Sequence, residues 1–120
     1  MTHYSFFSFA RVLLIAAIAY TPIAEVASQL NLPAARLMSF APNPFVDNIT
    51  LTVQVDRAAH VSIKIEDAYG RLITILHDGM MGSGRNKLTW EAQHAISAGV
   101  YFIRFECERY RTHYKIVCQG

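Results

Sequence analysis

Residues 49–66 read ITLTVQVDRAAHVSIKIE, and the alternation in this stretch decides the fold class. Ile49, Leu51, Val53 and Val55 alternate with Thr50, Thr52 and Gln54; Val61, Ile63 and Ile65 then alternate with Ser62, Lys64 and Glu66. Successive side chains on a strand point to opposite faces, so each run has one apolar face and one wet face. No segment after residue 30 shows a helical period.

Outward from that stretch the same pattern repeats between turn residues. Asp67-Ala68-Tyr69-Gly70 is expected to be a hairpin turn, with Gly70 free to take positive φ. Leu72–Leu76 is a further run, Gly79–Gly84 (GMMGSG) is expected to be a loop, and a strand follows around Lys87–Trp90. Val100–Cys107 and Tyr110–Cys118 are long and rich in aromatics, with Glu108-Arg109 as their turn. Adding a short strand at Leu37–Phe40 gives about seven strands in roughly 80 residues. Short antiparallel strands at this spacing predict an all-β fold, an immunoglobulin-like antiparallel β-sandwich, with a single small β-barrel as the alternative. Trp90, Tyr101 or Phe102, Phe105 and Val53 are expected to share one buried cluster, because large aromatics dominate what a small sandwich can bury.

Composition fits one exported domain. The hydrophobic fraction of 52% and charged fraction of 17% argue against a disordered chain, and a net charge of +2 is too small to imply a nucleic-acid partner. Part of the apolar excess lies at the N-terminus. Residues 1–28 read as a signal-peptide helix: Arg11 supplies the positive flank, Val12–Tyr20 is uninterruptedly apolar, and Thr21-Pro22 breaks the helix. Val26 and Ser28 suit cleavage after Ser28. An uncleaved anchor is the competing reading, but the run is shorter than the ~20 residues that span a bilayer. Membrane contact is therefore expected only through the signal peptide during export. Residues 29–36 are a short lead-in to a domain at 37–120.

The search for chemistry finds no catalytic constellation. His60, His77, His94 and His113 are scattered, without metal-ligand spacing, and His77 and Asp78 are strand neighbours that point apart. Gly82-Ser83-Gly84 is not a nucleophile elbow. No cofactor and no metal are expected. In the Glu108-Arg109 hairpin Cys107 falls opposite Tyr110 and Cys118 opposite Gly99. The two cysteines are then ~26 Å apart at ~3.3 Å per residue, far beyond the ~7 Å a disulfide needs. Free thiols are expected, with pairing between chains as the alternative. Residues 109–115 interleave basic and aromatic side chains. The expected arrangement is an amphipathic strand with Tyr110, Tyr114 and Ile116 inward, and Arg111, His113 and Lys115 outward.

What remains specific is an ordered set of motifs. Pro42-Asn43-Pro44-Phe45 makes a rigid turn after the first strand. Asp67-Ala68-Tyr69-Gly70-Arg71 follows the third strand, Trp90 closes the fifth, Ser97-Ala98-Gly99-Val100-Tyr101 opens the sixth, and Lys115-Ile116-Val117 lies in the last. This order, over roughly Leu37 to Val117, resembles the type A C-terminal sorting domain of the type IX (Por) secretion system of Bacteroidetes-type bacteria. Members of that family carry a PNPF-like opening, a D-x-x-G-R turn, an aromatic before the loop, an S-x-G-x-Y strand and a basic-apolar final strand.

The resemblance implies an immunoglobulin-like sandwich without catalytic activity of its own. It implies export by the Sec route, transit through the periplasm, and recognition of the folded domain by the type IX machinery at the outer membrane. Removal by a sortase-like surface protease would follow, with the cell surface or the medium as the final location. Carried over residue by residue, the sorting motif comprises Pro42, Asn43, Pro44, Phe45, Asp67, Gly70, Arg71, Gly99, Tyr101, Lys115, Ile116 and Val117. The alternative function is an immunoglobulin-like binding or structural module at the cell surface, since this architecture hosts many functions.

Overall fold

Each alternating run forms a strand, and seven follow one another: β1 (Ala35–Ala41), β2 (Asn48–Val55), β3 (Ala59–Asp67), β4 (Leu72–Met81), β5 (Gly84–Glu91), β6 (Gly99–Cys107) and β7 (Tyr110–Cys118). The computed structural model describes residues 32–92 and 96–119, so the signal segment expected at residues 1–28, and His94, lie outside the described residues. There is no helix among the described residues.

The strands form two antiparallel sheets, β1-β2-β5 and β4-β3-β6-β7. An immunoglobulin constant domain keeps its fourth strand on the sheet of its first, second and fifth. Here β4 pairs with β3 instead. The wet and dry faces are those the alternation requires, except that Ser62, expected on the wet face, is buried. Ile49, Leu51, Val53, Val61, Ile63 and Ile65 are fully buried, and each contributes about 1.5–3 kcal/mol relative to exposure. Trp90, Tyr101, Phe105 and Val53 lie in one core cluster, as expected from sequence. Phe102 lies outside it, on the outer face, with its ring 6.4 Å from that of His113.

One strand runs on where the sequence suggests a loop. Gly79, Met80 and Met81 are not part of a GMMGSG loop but the end of β4, paired opposite Val61, His60 and Ala59. Two glycines weaken the strand signal, yet β3 is long enough to offer a partner to each of these residues, and Met81 is buried against the core. Only Gly82 and Ser83 then remain to cross from one sheet to the other. The β6–β7 register is the expected one: Cys107 faces Tyr110 and Gly99 faces Cys118. Glu108 makes the tight turn with φ 55°, and its carboxylate accepts from Arg57 at 2.7 Å. Both cysteines are free and buried.

Candidate functional site

The turn after β1 does more than reverse the chain. It leaves the first sheet and lies along the outer edge of β7 in the second. Phe45 N donates to Val117 O at 2.9 Å, and Gln119 N donates to Phe45 O at 2.8 Å, a parallel bridge between Phe45 and Cys118. The Asn43 side chain extends the contact. Its Oδ1 accepts from Val117 N at 2.9 Å, and its Nδ2 reaches Lys115 O at 3.4 Å. Pro42 and Pro44 flank that Asn and offer no backbone donor of their own, so the side-chain amide replaces a strand. Phe45 drives its ring between the sheets, fully buried, 5.7 Å from Trp90. The opening motif and the closing motif are one structure.

The Asp67–Arg71 turn sits at the same end. Asp67 Oδ1 accepts from the backbone N–H groups of Tyr69 and Arg71, both at 2.9 Å, and Oδ2 accepts from Arg71 Nε at 2.6 Å. Gly70 takes φ 82°, a conformation that costs a residue with a Cβ about 1–2 kcal/mol. Desolvation works to raise the Asp67 pKa, but the backbone and side-chain hydrogen bonds and the charge of Arg71 outweigh it, holding the carboxyl below its ordinary value. The turn presents Tyr69, 85% exposed, with the Arg71 guanidinium 5.4 Å over its ring.

Cross-strand register joins the two motifs. Asp67 lies opposite Tyr101, and Tyr101 opposite Ile116. Gly99 is opposite Cys118, the residue that Phe45 bridges. Tyr101 donates its hydroxyl proton to Ser97 O at 2.7 Å, a tyrosine corner that fixes the entry to β6. The expected motif residues thus converge on one end of the sandwich. Sequence reading placed Phe45 only in a turn; its burial depends on Trp90 and its bonds to β7 on residues more than 70 positions away, which leave no local signal.

Beside this end, the outer face of β6 and β7 is basic. Arg111, His113 and Lys115 point outward and are exposed, opposite Glu106, Arg104 and Phe102. Tyr110, Tyr114 and Ile116 turn inward, although the two tyrosines are only half-buried. Glu66 and Glu106 both turn to Arg104, at 3.1 and 3.8 Å. A shallow hollow of about 470 Å³ lies over Phe102, Arg104, His113 and Lys115. No group of three or more metal-ligating side chains gathers among the described residues.

Two facing antiparallel sheets, a tyrosine corner and a last strand locked to the first turn define an immunoglobulin-like β-sandwich module. The model of the secretion system C-terminal sorting domain family matches residues 39–119, and the chain belongs to that family. It is a type IX C-terminal sorting domain, a class that works with the type IX machinery and is carried to the cell surface or the extracellular space. No curated protein matches the chain in sequence. Among solved structures it is similar to dimeric latent PorU from Porphyromonas gingivalis, at 20% identity and TM-score 0.56 over 70% of this chain and 9% of that one. That likeness speaks for the fold. A weaker one, TM-score 0.47 and 17% identity over 70% of this chain and 92% of the other, is to CopC from Methylosinus trichosporium OB3b and carries no argument.

Proposed function

We propose that the end of the sandwich built from Pro42–Phe45, Asp67–Arg71, Gly99, Tyr101 and Lys115–Val117 is the surface by which the type IX machinery recognises this chain. The observation that carries this reading is the bonding of Asn43 and Phe45 to β7, which makes motifs from both ends of the domain one composite surface. In this reading residues 1–28 direct passage through the inner membrane and are removed, and the few residues that follow lead into a domain whose first strand starts at Ala35. The domain folds in the periplasm and is passed across the outer membrane. A sortase-like protease at the surface then cuts it away. The domain itself supplies recognition and no catalysis.

A reporter fusion tests this. A signal peptide and fluorescent protein joined to Pro33–Gly120 should reach the surface or medium of a type IX-competent bacterium and remain in the periplasm of a type IX-deficient one. Deleting Tyr114–Gly120 should retain the reporter in both. It strips β6 of half its partner, each lost ladder bond costing ~0.5–1.5 kcal/mol, and removes Ile116 and Tyr114 from the core they help to cover. Asn43→Ala with Arg71→Ala keeps the core intact, so retention of that folded variant would locate recognition at this end. If the intact fusion stays periplasmic while another family domain exports the same reporter, the proposal fails and a surface binding module becomes the better account.

A further inference from the structure

The strap covers only part of the β7 edge. Residues 43–45 bond to the outward backbone groups of Lys115, Val117 and Gln119. Outward groups alternate along a strand, so those of Arg111 and His113 belong to the same edge and lie beyond the strap's reach. β7 is the last strand of its sheet and pairs with β6 without a register break. The opposite edge differs. β4 is interrupted twice against β3, and such bulges spoil an edge as a template. Among the described residues no bond takes up this half of the β7 edge, which is a short, regular slot.

Its chemistry selects the occupant. Arg111, His113 and Lys115 rise on the outer face; of the nearby carboxylates, Glu66 and Glu106 both turn toward Arg104 and Asp67 is held by Arg71. Arg111 and Lys115 form no ion pair among the described residues. On the inner face the slot is flanked by the half-buried rings of Tyr110 and Tyr114, the latter 5.6 Å from Phe40. A strand laid along this edge places alternate residues beside the basic row and beside the rings. The basic row repels a second copy of β7, which carries the same charges.

We infer that the open half of β7, at Arg111 and His113, accepts an extended segment of a partner protein that alternates acidic with apolar residues, by strand addition. The site does not depend on the export reading. The probe is a capped peptide of alternating Glu and Val, with its Lys-and-Val counterpart, added to the full chain. The Glu peptide should slow amide exchange at Arg111 and His113 at least about tenfold at saturation and leave Val117, already bonded to Asn43, unchanged. The Lys peptide should slow none of these amides. Arg111→Glu with Lys115→Glu should weaken binding of the Glu peptide about tenfold and favour the Lys peptide. His113→Pro removes one outward N–H and should abolish binding while the thermal melt persists. Equal binding of both peptides, or undiminished binding of the Glu peptide to folded His113→Pro, overturns the inference. If His113→Pro does not fold, the charge-reversed variant decides: an unchanged preference for Glu overturns it. A reporter that stays periplasmic while the chain binds the Glu peptide refutes the export proposal and leaves the strand site standing.

Discussion

Phe45→Ala should be the most damaging single change in the first turn, and its cost follows from where the ring sits. Phe45 has no exposed surface and packs on Trp90. An aromatic side chain buries ~150–250 Å², which at ~25 cal/mol/Å² amounts to about 4–6 kcal/mol. Alanine keeps part of that, so a net loss of ~3–5 kcal/mol is expected, including the ring pairing with Trp90. A domain of roughly 90 residues has about 4–13 kcal/mol of stability in all. At ~4–8 °C per kcal/mol the melting midpoint should fall by about 12–40 °C, and the least stable case unfolds outright. The assay is built in, because Trp90 is the sole tryptophan. Its emission should shift to the red at lower temperature or urea concentration in the variant. The backbone bonds of residue 45 to Val117 and Gln119 do not depend on the side chain, so the loss reports packing. A midpoint within about 3 °C of the wild type would refute the assignment of Phe45 to the core.

Asn43→Ala should cost only ~0.5–1.5 kcal/mol, because the β7 groups it releases lie at an exposed edge where water replaces it; urea melts measure this, and a loss as large as that of Phe45→Ala would contradict it. Asp67→Asn should destabilise at neutral pH and progressively less in acid. The folded carboxyl titrates below its ordinary value of 3.8, so its stabilisation is present above that pH and is lost as pH falls through the lower folded value. Wild-type and Asp67→Asn urea midpoints should therefore converge below about pH 4, and a constant gap down to pH 2 would refute this. Burial pushes the Cys107 thiol up, and both cysteines are sealed in the core. Each should react with a thiol-specific dye at least about a hundredfold more slowly in the folded protein than in urea, where both become accessible.

How much of this was legible in the sequence depends on how local the cause is. β2, β3, β6 and β7 announce themselves because one face is buried and the other wet, which writes a period of two. The β6–β7 register followed from Glu108-Arg109 alone, since a two-residue turn leaves little freedom in pairing. The end of β4 was hidden. Gly79 and Gly82 carry loop composition, and only the length of β3 keeps the strand paired through Met81. The convergence of the motifs at one end was hidden too, because it needs the register of β3 with β6 and of β6 with β7 together. The turn at Pro42–Phe45 was recognisable as a turn, but nothing in those residues points to the strand they bind.

That bond has a consequence for how the chain is made. Asn43 and Val117 stand 74 positions apart, and the strap has nothing to hold until the final strand has emerged and docked. A nascent or truncated chain can display the PNPF sequence but not the surface it belongs to. If this surface is the one recognised, as proposed, completion of β7 and legibility become a single event, and the machine that reads it passes over unfinished chains without a separate inspector.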